Sequence, residues 1–196
     1  MTDYGPDTAL IVVDVQNDFA DPAGSLAVSR AARVMPRIND EVAAAREAGA
    51  PVFYTQDWHP PSTPHFAKDG GIWPVHCVAG TWGAELHPDL FFDGETVQKG
   101  ANGEDGYSGF SMRDPVSGAE IATPLEGRLR ELGVERVVIC GLATDYCVNA
   151  TALDATKLGF DTVVLRRAVA AVNLKSGDEE RALEAMATAG AQVQDE

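Results

Sequence analysis

The first apolar run, ALIVVDVQ over residues 9–16, is short and β-branched, the pattern of a strand buried on both faces of a sheet. The period then changes. Over residues 30–48 the chain is Ala-rich, with Val34, Ile38, Val42 and Ala45 at helical spacing, and Gly49 stops the helix. PVFYTQD (51–57) predicts a second strand, and ETVQKG (95–100) a third. Between them, residues 58–95 are too rich in Pro, Gly and polar residues for a regular element, and ANGEDGYSGFSMRD after the third strand is another loop. The last third alternates more evenly. Helices are expected over 124–132, 144–158 and 177–189, with strands over 135–141 and 160–166 and a terminal strand at AQVQ. Such alternation implies an α/β fold, a three-layer α/β/α sandwich on a mostly parallel sheet. With no internal repeat and no linker, residues 1–196 are expected to form one domain. The long loops follow strands, so their chemistry should converge at the carboxyl edge of the sheet.

Composition narrows the function classes. Fifteen basic residues against thirty acidic ones give a formal charge of −15, which repels phosphate backbones and anionic membranes. Neither nucleic acid nor a membrane is an expected partner. No apolar run approaches the ~20 residues of a membrane span, and MTDYGPDTAL does not read as a secretory leader, so a cytoplasmic location is expected. Cys77, Cys140 and Cys147 are odd in number and not closely paired, which argues against a disulfide framework.

Three of the four histidines fall in QDWHPPSTPHFAKDGGIWPVHC, residues 56–77. Asp57 ends a predicted strand, and His59 lies two residues on, facing the same way in extended chain. With His65 and His76 they form a carboxylate and imidazole set suited to a divalent transition metal: zinc first, with iron or manganese as alternatives. The plainer reading is chance clustering of loop histidines, with His76 a core residue beside Trp73. His87 stands outside the cluster and is expected to cap a turn.

The second constellation is VVICGLATDYCVNATALDA (137–155), a buried strand running through Gly141 into a helix. Cys147 falls near the first turn of that helix, where the dipole favours a thiolate aimed at the sheet edge. Free N–H groups there could hold an oxyanion. The plainer reading is a buried inert thiol, which Cys140 fits well; Cys77 stays undecided. Asp14 sits near the carboxyl end of the first strand and Lys99 ends the third, so both can reach the same edge, where an ion pair would set the protonation of a neighbouring thiol.

Taken together, VVDVQNDF, QDWHPPSTPHF with WPVHC, VQKG and CGLATDYCV resemble the nicotinamidase/pyrazinamidase branch of the isochorismatase-like cysteine hydrolases, from residue 9 to about 190. The resemblance implies a catalytic triad of Asp14, Lys99 and Cys147, and metal ligands Asp57, His59, His65 and His76. It implies that Phe19 and Trp73 sandwich the substrate ring and that Tyr107, Leu142 and Ala143 line the pocket. It also implies a cis peptide at Leu142–Ala143, with the N–H groups of Ala143 and Cys147 forming the oxyanion hole. The expected reaction is hydrolysis of nicotinamide, and of pyrazinamide, through a cysteine thioester, with the metal holding the pyridine nitrogen. A cysteine amidase acting on another amide or carbamoyl substrate is the alternative. A metal-hydroxide hydrolase would leave Asp14, Lys99 and Cys147 unexplained, and a metal-dependent binding module is disfavoured because structural sites are usually closed Cys/His sets. A homo-oligomer is left open.

Overall fold

The computed structural model describes residues 2–195. In chain order the elements are β1 (Thr8–Val13), α1 (Asn17–Ala20), α2 (Ala31–Glu47), β2 (Val52–Asp57), β3 (Glu95–Lys99), β4 (Ser111–Arg113), β5 (Glu120–Ala122), α3 (Leu125–Glu131), β6 (Arg136–Leu142), a π-helical turn (Thr144–Val148), α4 (Asn149–Lys157), β7 (Asp161–Ala170), α5 (Asp178–Thr188) and β8 (Gln192–Gln194). Six strands form one parallel sheet in the order β3-β2-β1-β6-β7-β8. A small antiparallel pair, β4 with β5, stands apart. Among the described residues no helix is long and apolar enough to cross a membrane.

The unbroken apolar runs explain the layering. In β1, Leu10 and Val12 face one side and Ala9, Ile11 and Val13 the other, and both sets are buried. The first face packs on α2 through Val34, Ile38, Val42 and Ala45. The second packs on α3, α4 and α5 through Leu129, Ala152, Ala155, Leu183 and Met186. Helix, sheet and helices thus make the expected three-layer α/β/α sandwich. Gly49 closes α2 as expected: it takes φ 74°, and the Ala50 N–H reaches back to the Ala45 carbonyl at 2.9 Å.

Four details differ from the sequence reading. The first strand stops at Val13, not at residue 16, because Asp14 turns into the left-handed region at φ 48°. A short helix, α1, follows it. The 101–124 stretch contains the β4–β5 hairpin, which its largely exposed, non-alternating residues do not announce. Strand β7 runs on to Ala170, past the expected end at residue 166. Its pairing with β6 jumps from Ile139↔Val164 to Gly141↔Val169, a bulge that pushes Arg166 and Arg167 outward and interrupts the apolar run.

The strand order reverses direction at β1, with β2 on one side and β6 on the other. A crevice opens there beyond the carboxyl ends of the strands.

Candidate active site

Four adjacent strands each deliver a functional group to that crevice. Asp14 follows β1, Asp57 ends β2, Lys99 ends β3, and Cys147 sits in the π-helical turn after β6. Asp57 and Lys99 are direct neighbours in the β2–β3 register. Gly141 lets the end of β6 lie close against β1: it has φ 115°, and a Cβ there would fall 2.2 Å from the Val13 carbonyl oxygen. The turn that carries Cys147 is thereby brought over Asp14. The peptide between Leu142 and Ala143 is cis.

Lys99 is the hub. Its ammonium contacts Asp57 Oδ1, lies 2.9 Å from Asp14 Oδ2 and donates to Cys147 Sγ at 3.7 Å. All four groups are buried: Asp14 is 0 % exposed, Lys99 1 %, Asp57 4 % and Cys147 6 %. The three protons of one ammonium thus each face a partner. Asp14 is held from a second side by Thr55, whose hydroxyl donates to Asp14 Oδ1 at 2.6 Å. The Asp14 N–H in turn points to the Thr55 carbonyl and to Thr55 Oγ1, each at 3.2 Å. Two-point contact with one residue keeps Asp14 in its strained backbone conformation. Asp14 Oδ2, apart from its ion pair with Lys99, has no aligned hydrogen-bond donor. It is the oxygen free to take a proton.

The electrostatics correct one expectation. At the start of a helix the dipole was expected to favour the thiolate of Cys147. Instead, burial pushes its pKa well above the usual thiol range; Lys99 opposes this, while Asp14 and Asp57 add to it. The dipole of one helical turn is opposed by desolvation first and by two nearby carboxylates after it. Burial likewise raises the Asp14 pKa, against the pull of Lys99. For Asp57 burial works upward too, but Lys99 and the neighbouring His59 and His76 rings carry it well below the usual carboxylate range. Burial disfavours the charge on Lys99, yet the two carboxylates hold its pKa well above normal.

His59, His65 and His76 stand on the other side of Asp57. One nitrogen from each ring lies within 4.8 Å of the others. Both ring nitrogens of His59 are buried without a partner. The Nδ1 of His76 pairs with the Pro74 carbonyl at 2.7 Å, and that of His65 with Asp105 Oδ1 at 2.7 Å, leaving the Nε2 of each ring available. Asp57 Oδ2 lies 3.7 Å from His59 Nε2 and 3.8 Å from His76 Nε2. Orphaned buried imidazole nitrogens beside a carboxylate fit a divalent cation and would otherwise be costly. Asp57 therefore faces both ways: one oxygen meets Lys99, the other the histidines.

Between the thiol and the histidines lies a pocket. Phe19, Trp73, Tyr107, Tyr146, Ala143 and Val172 wall it, together with Cys147, Asp57, His65 and His76. The Trp73 indole N–H donates to the Tyr107 hydroxyl at 3.0 Å, and Trp73 meets Tyr146 edge-on at 4.9 Å. Phe19 lies 5.5 Å from the His76 ring. Asp14 and Lys99 are not among the lining residues, and neither is His59. Leu142, expected to line the pocket, is not in the wall: its side chain is buried in the core on the α2 side, because β6 directs it inward. Cys140 is fully buried in mid-strand, Cys77 is buried with its pKa well above the usual thiol range through burial first, and neither lines the pocket.

Sequence reasoning passed over several participants. Thr55 is one. Gln16 is another: its amide donates to the Asp57 and Ala84 carbonyls at 2.7 and 2.9 Å and accepts the Asp57 N–H at 2.9 Å. Asp18 accepts the Cys77 N–H at 2.7 Å, beside His76. Tyr146 and Asp105 complete the set. The signal available for Gln16 and Asp18 was a polar run directly after a doubly buried strand.

Comparison with known proteins agrees with this architecture. The model of the isochorismatase domain matches residues 8–196. A nicotinamidase/pyrazinamidase of Mycobacterium tuberculosis is 41% identical over 192 residues, 94% of this chain and 97% of that one. The crystal structure of a Pyrococcus horikoshii pyrazinamidase in complex with zinc superposes with a TM-score of 0.85 at 44% identity, covering 96% of this chain and 99% of that one. The crystal structure of PnC1 from L. infantum in complex with nicotinate gives a TM-score of 0.87 at 34% identity, covering 98% of this chain and 95% of that one. Sheet order, crevice and sequence likeness along nearly the whole length agree, and the chain belongs to the isochorismatase domain family, with nicotinamidases and pyrazinamidases among its relatives.

Proposed function

We propose that the protein is an amidohydrolase that converts nicotinamide to nicotinate and ammonia, and that it also accepts pyrazinamide. The observation that carries this reading is the placement of Cys147 and Asp14 around one buried ammonium, with Cys147 lining the same aromatic-walled pocket as His65 and His76.

The reaction then runs on this chain's own groups. Asp14 Oδ2 takes the thiol proton, and Cys147 Sγ attacks the carboxamide carbon. The N–H groups of Ala143 and Cys147 are the donors proposed for the oxyanion. Asp14 returns its proton to the departing nitrogen, the C–N bond breaks and ammonia leaves a thioester. Asp14 next deprotonates a water, which attacks the thioester carbon; the C–S bond breaks, the thiol is restored and nicotinate leaves. Lys99 keeps Asp14 oriented and balances the charge through both halves. Phe19 and Trp73 hold the ring, with Tyr107 closing the wall.

His59, His65, His76 and Asp57 would hold the metal, and we propose zinc, as in the similar Pyrococcus protein. Bound there, a divalent cation supplies Lewis-acid affinity for the pyridine nitrogen and so a handle on the ring. We further propose that the chain works as one domain, since β1 and β8 from its two ends share one sheet. Three buried free cysteines suit a reducing cytoplasm.

The test is incubation with nicotinamide, following ammonia and nicotinate together. Equal release of both supports the reading. Benzamide has the carboxamide but no ring nitrogen and should be turned over poorly. No ammonia from nicotinamide with the zinc-loaded protein would overturn the proposal.

A further inference from the structure

The three histidines are not held alike. His59 has no protein partner at either ring nitrogen, and His76 leans on a neutral carbonyl. His65 alone leans on a charged group: its Nδ1 meets Asp105 Oδ1 at 2.7 Å. A ring N–H donated to a carboxylate leaves the lone pair on Nε2, fixes the ring plane and strengthens that lone pair as a ligand. The His65 side chain is 5 % exposed, whereas that of Asp105 is 51 % exposed, so the carboxylate stands at the rim and reaches inward to the buried ring.

Asp105 lies in the 101–110 loop, away from every ligand in sequence. The loop is pinned on its far side by backbone pairing of Asp105 with Arg113, the Asp105 N–H reaching the Arg113 carbonyl at 2.8 Å. Two residues on, Tyr107 enters the pocket wall and accepts the Trp73 indole N–H. One short segment therefore holds both a histidine of the metal set and a wall of the substrate pocket.

We propose that Asp105 is a positioning residue for the metal site: it locks His65 with Nε2 free for the cation, tightens the hold on a divalent metal, and ties the 101–110 loop to metal occupancy. This rests on the metal assignment made above, not on the identity of the substrate. The expected size is the loss usual for such outer partners, about 10–100-fold in metal affinity.

The test is a zinc titration of metal-stripped protein against a chromophoric chelator, with no substrate present. Asp105→Ala should bind zinc about 10–100-fold more weakly than the wild type. Asp105→Asn, which keeps an acceptor and loses the charge, should fall between them. Glu104→Ala serves as the loop control. Glu104 braces the same loop through the Asn102 N–H at 2.8 Å and is not bonded to His65. It should titrate like the wild type. Hydrogen exchange of residues 101–110 should slow on adding zinc to the wild type and change less in Asp105→Ala. Wild-type affinity in Asp105→Ala, or an equal loss in Glu104→Ala, would overturn the inference. A wild type that binds no divalent cation would overturn both it and the metal assignment. Tight zinc binding without ammonia release would overturn the proposed reaction and leave this inference standing.

Discussion

Replacing Lys99 by methionine keeps a stem of similar length and removes the one cation shared by Asp14 and Asp57. Both carboxylates are buried, at 0 % and 4 % exposure, and no arginine or other lysine contacts either of them among the described residues. Removing one member of a buried charge set costs about 3–5 kcal/mol, because the charges left behind are neither solvated nor paired. For a chain of this size each kcal/mol moves the melting temperature by about 2–4 °C. Lys99→Met should therefore melt roughly 6–20 °C below the wild type near pH 7.5. The pH dependence fixes the cause. Burial already raises the Asp14 pKa, and loss of Lys99 removes what opposes that rise. A carboxyl whose folded pKa is raised contributes stability that is fully present below its unfolded pKa of about 4 and is lost as pH climbs through the folded value. The deficit of the variant should thus shrink between pH 7.5 and pH 5. The assay is thermal denaturation by circular dichroism, with both proteins treated with chelator so that metal release does not enter. A deficit under about 3 °C at pH 7.5 would refute the buried-charge reasoning, being less than half the smallest expected shift. So would a deficit that widens on acidification.

Cys147→Ala should lower ammonia release by roughly 10⁴-fold or more while zinc content stays normal, because nucleophile and metal ligands are separate sets; near-normal turnover would rule out the thioester. Thr55→Val removes a buried hydrogen bond to a charged oxygen, worth about 1.5–3 kcal/mol, so turnover should fall roughly 10–150-fold, while Thr55→Ser should keep most of it; equal activity in the two variants would show that the hydroxyl does not set Asp14. In the resting enzyme the Cys147 thiol is held above the usual range, so its alkylation rate should still be rising past pH 9, where an ordinary thiol with pKa of about 8.5 has begun to level off; a plateau near pH 8 would contradict the burial argument, and labelling of Cys140 ahead of Cys147 would contradict the placement of the reactive thiol.

The fold was legible where burial writes itself into consecutive residues. The runs ALIVV, VFY and VVIC are apolar without alternation because both faces of a parallel sheet are covered, and each became a central strand. Strands β4 and β5 left no such trace: each is three residues long and partly or largely exposed. The end of β7 was hidden by Arg166 and Arg167, which the bulge carries out of the sheet. The site shows the same division. Asp57 and the histidines stand out because they gather within one short segment. Thr55 and Asp105 are single polar residues whose partners lie 41 and 40 positions away, Asp14 and His65, and only the folded sheet joins them. The environment of Cys147 was only half legible for a related reason. Helix position is visible in a sequence, whereas the burial that opposes it, and the Asp14 and Asp57 carboxylates that add to it, come only with the folded sheet.

Four strand ends supplying four groups also bear on when the site comes into being. Lys99 stands 42 residues from Asp57 and 48 from Cys147 along the chain, so no local segment contains a working pair. Parallel pairing over such separations is a slow step in folding, because loop entropy is lost before contacts compensate. Cys147 is the last of the four to be synthesised, and the strand before it, β6, is the one that closes β1 on its second side. A partly formed sheet therefore exposes an ordinary, unassisted thiol, with neither base nor bound amide beside it. The four groups meet only when β3, β2, β1 and β6 lie side by side, so recovery of amide cleavage on refolding is expected to report the joining of those four strands.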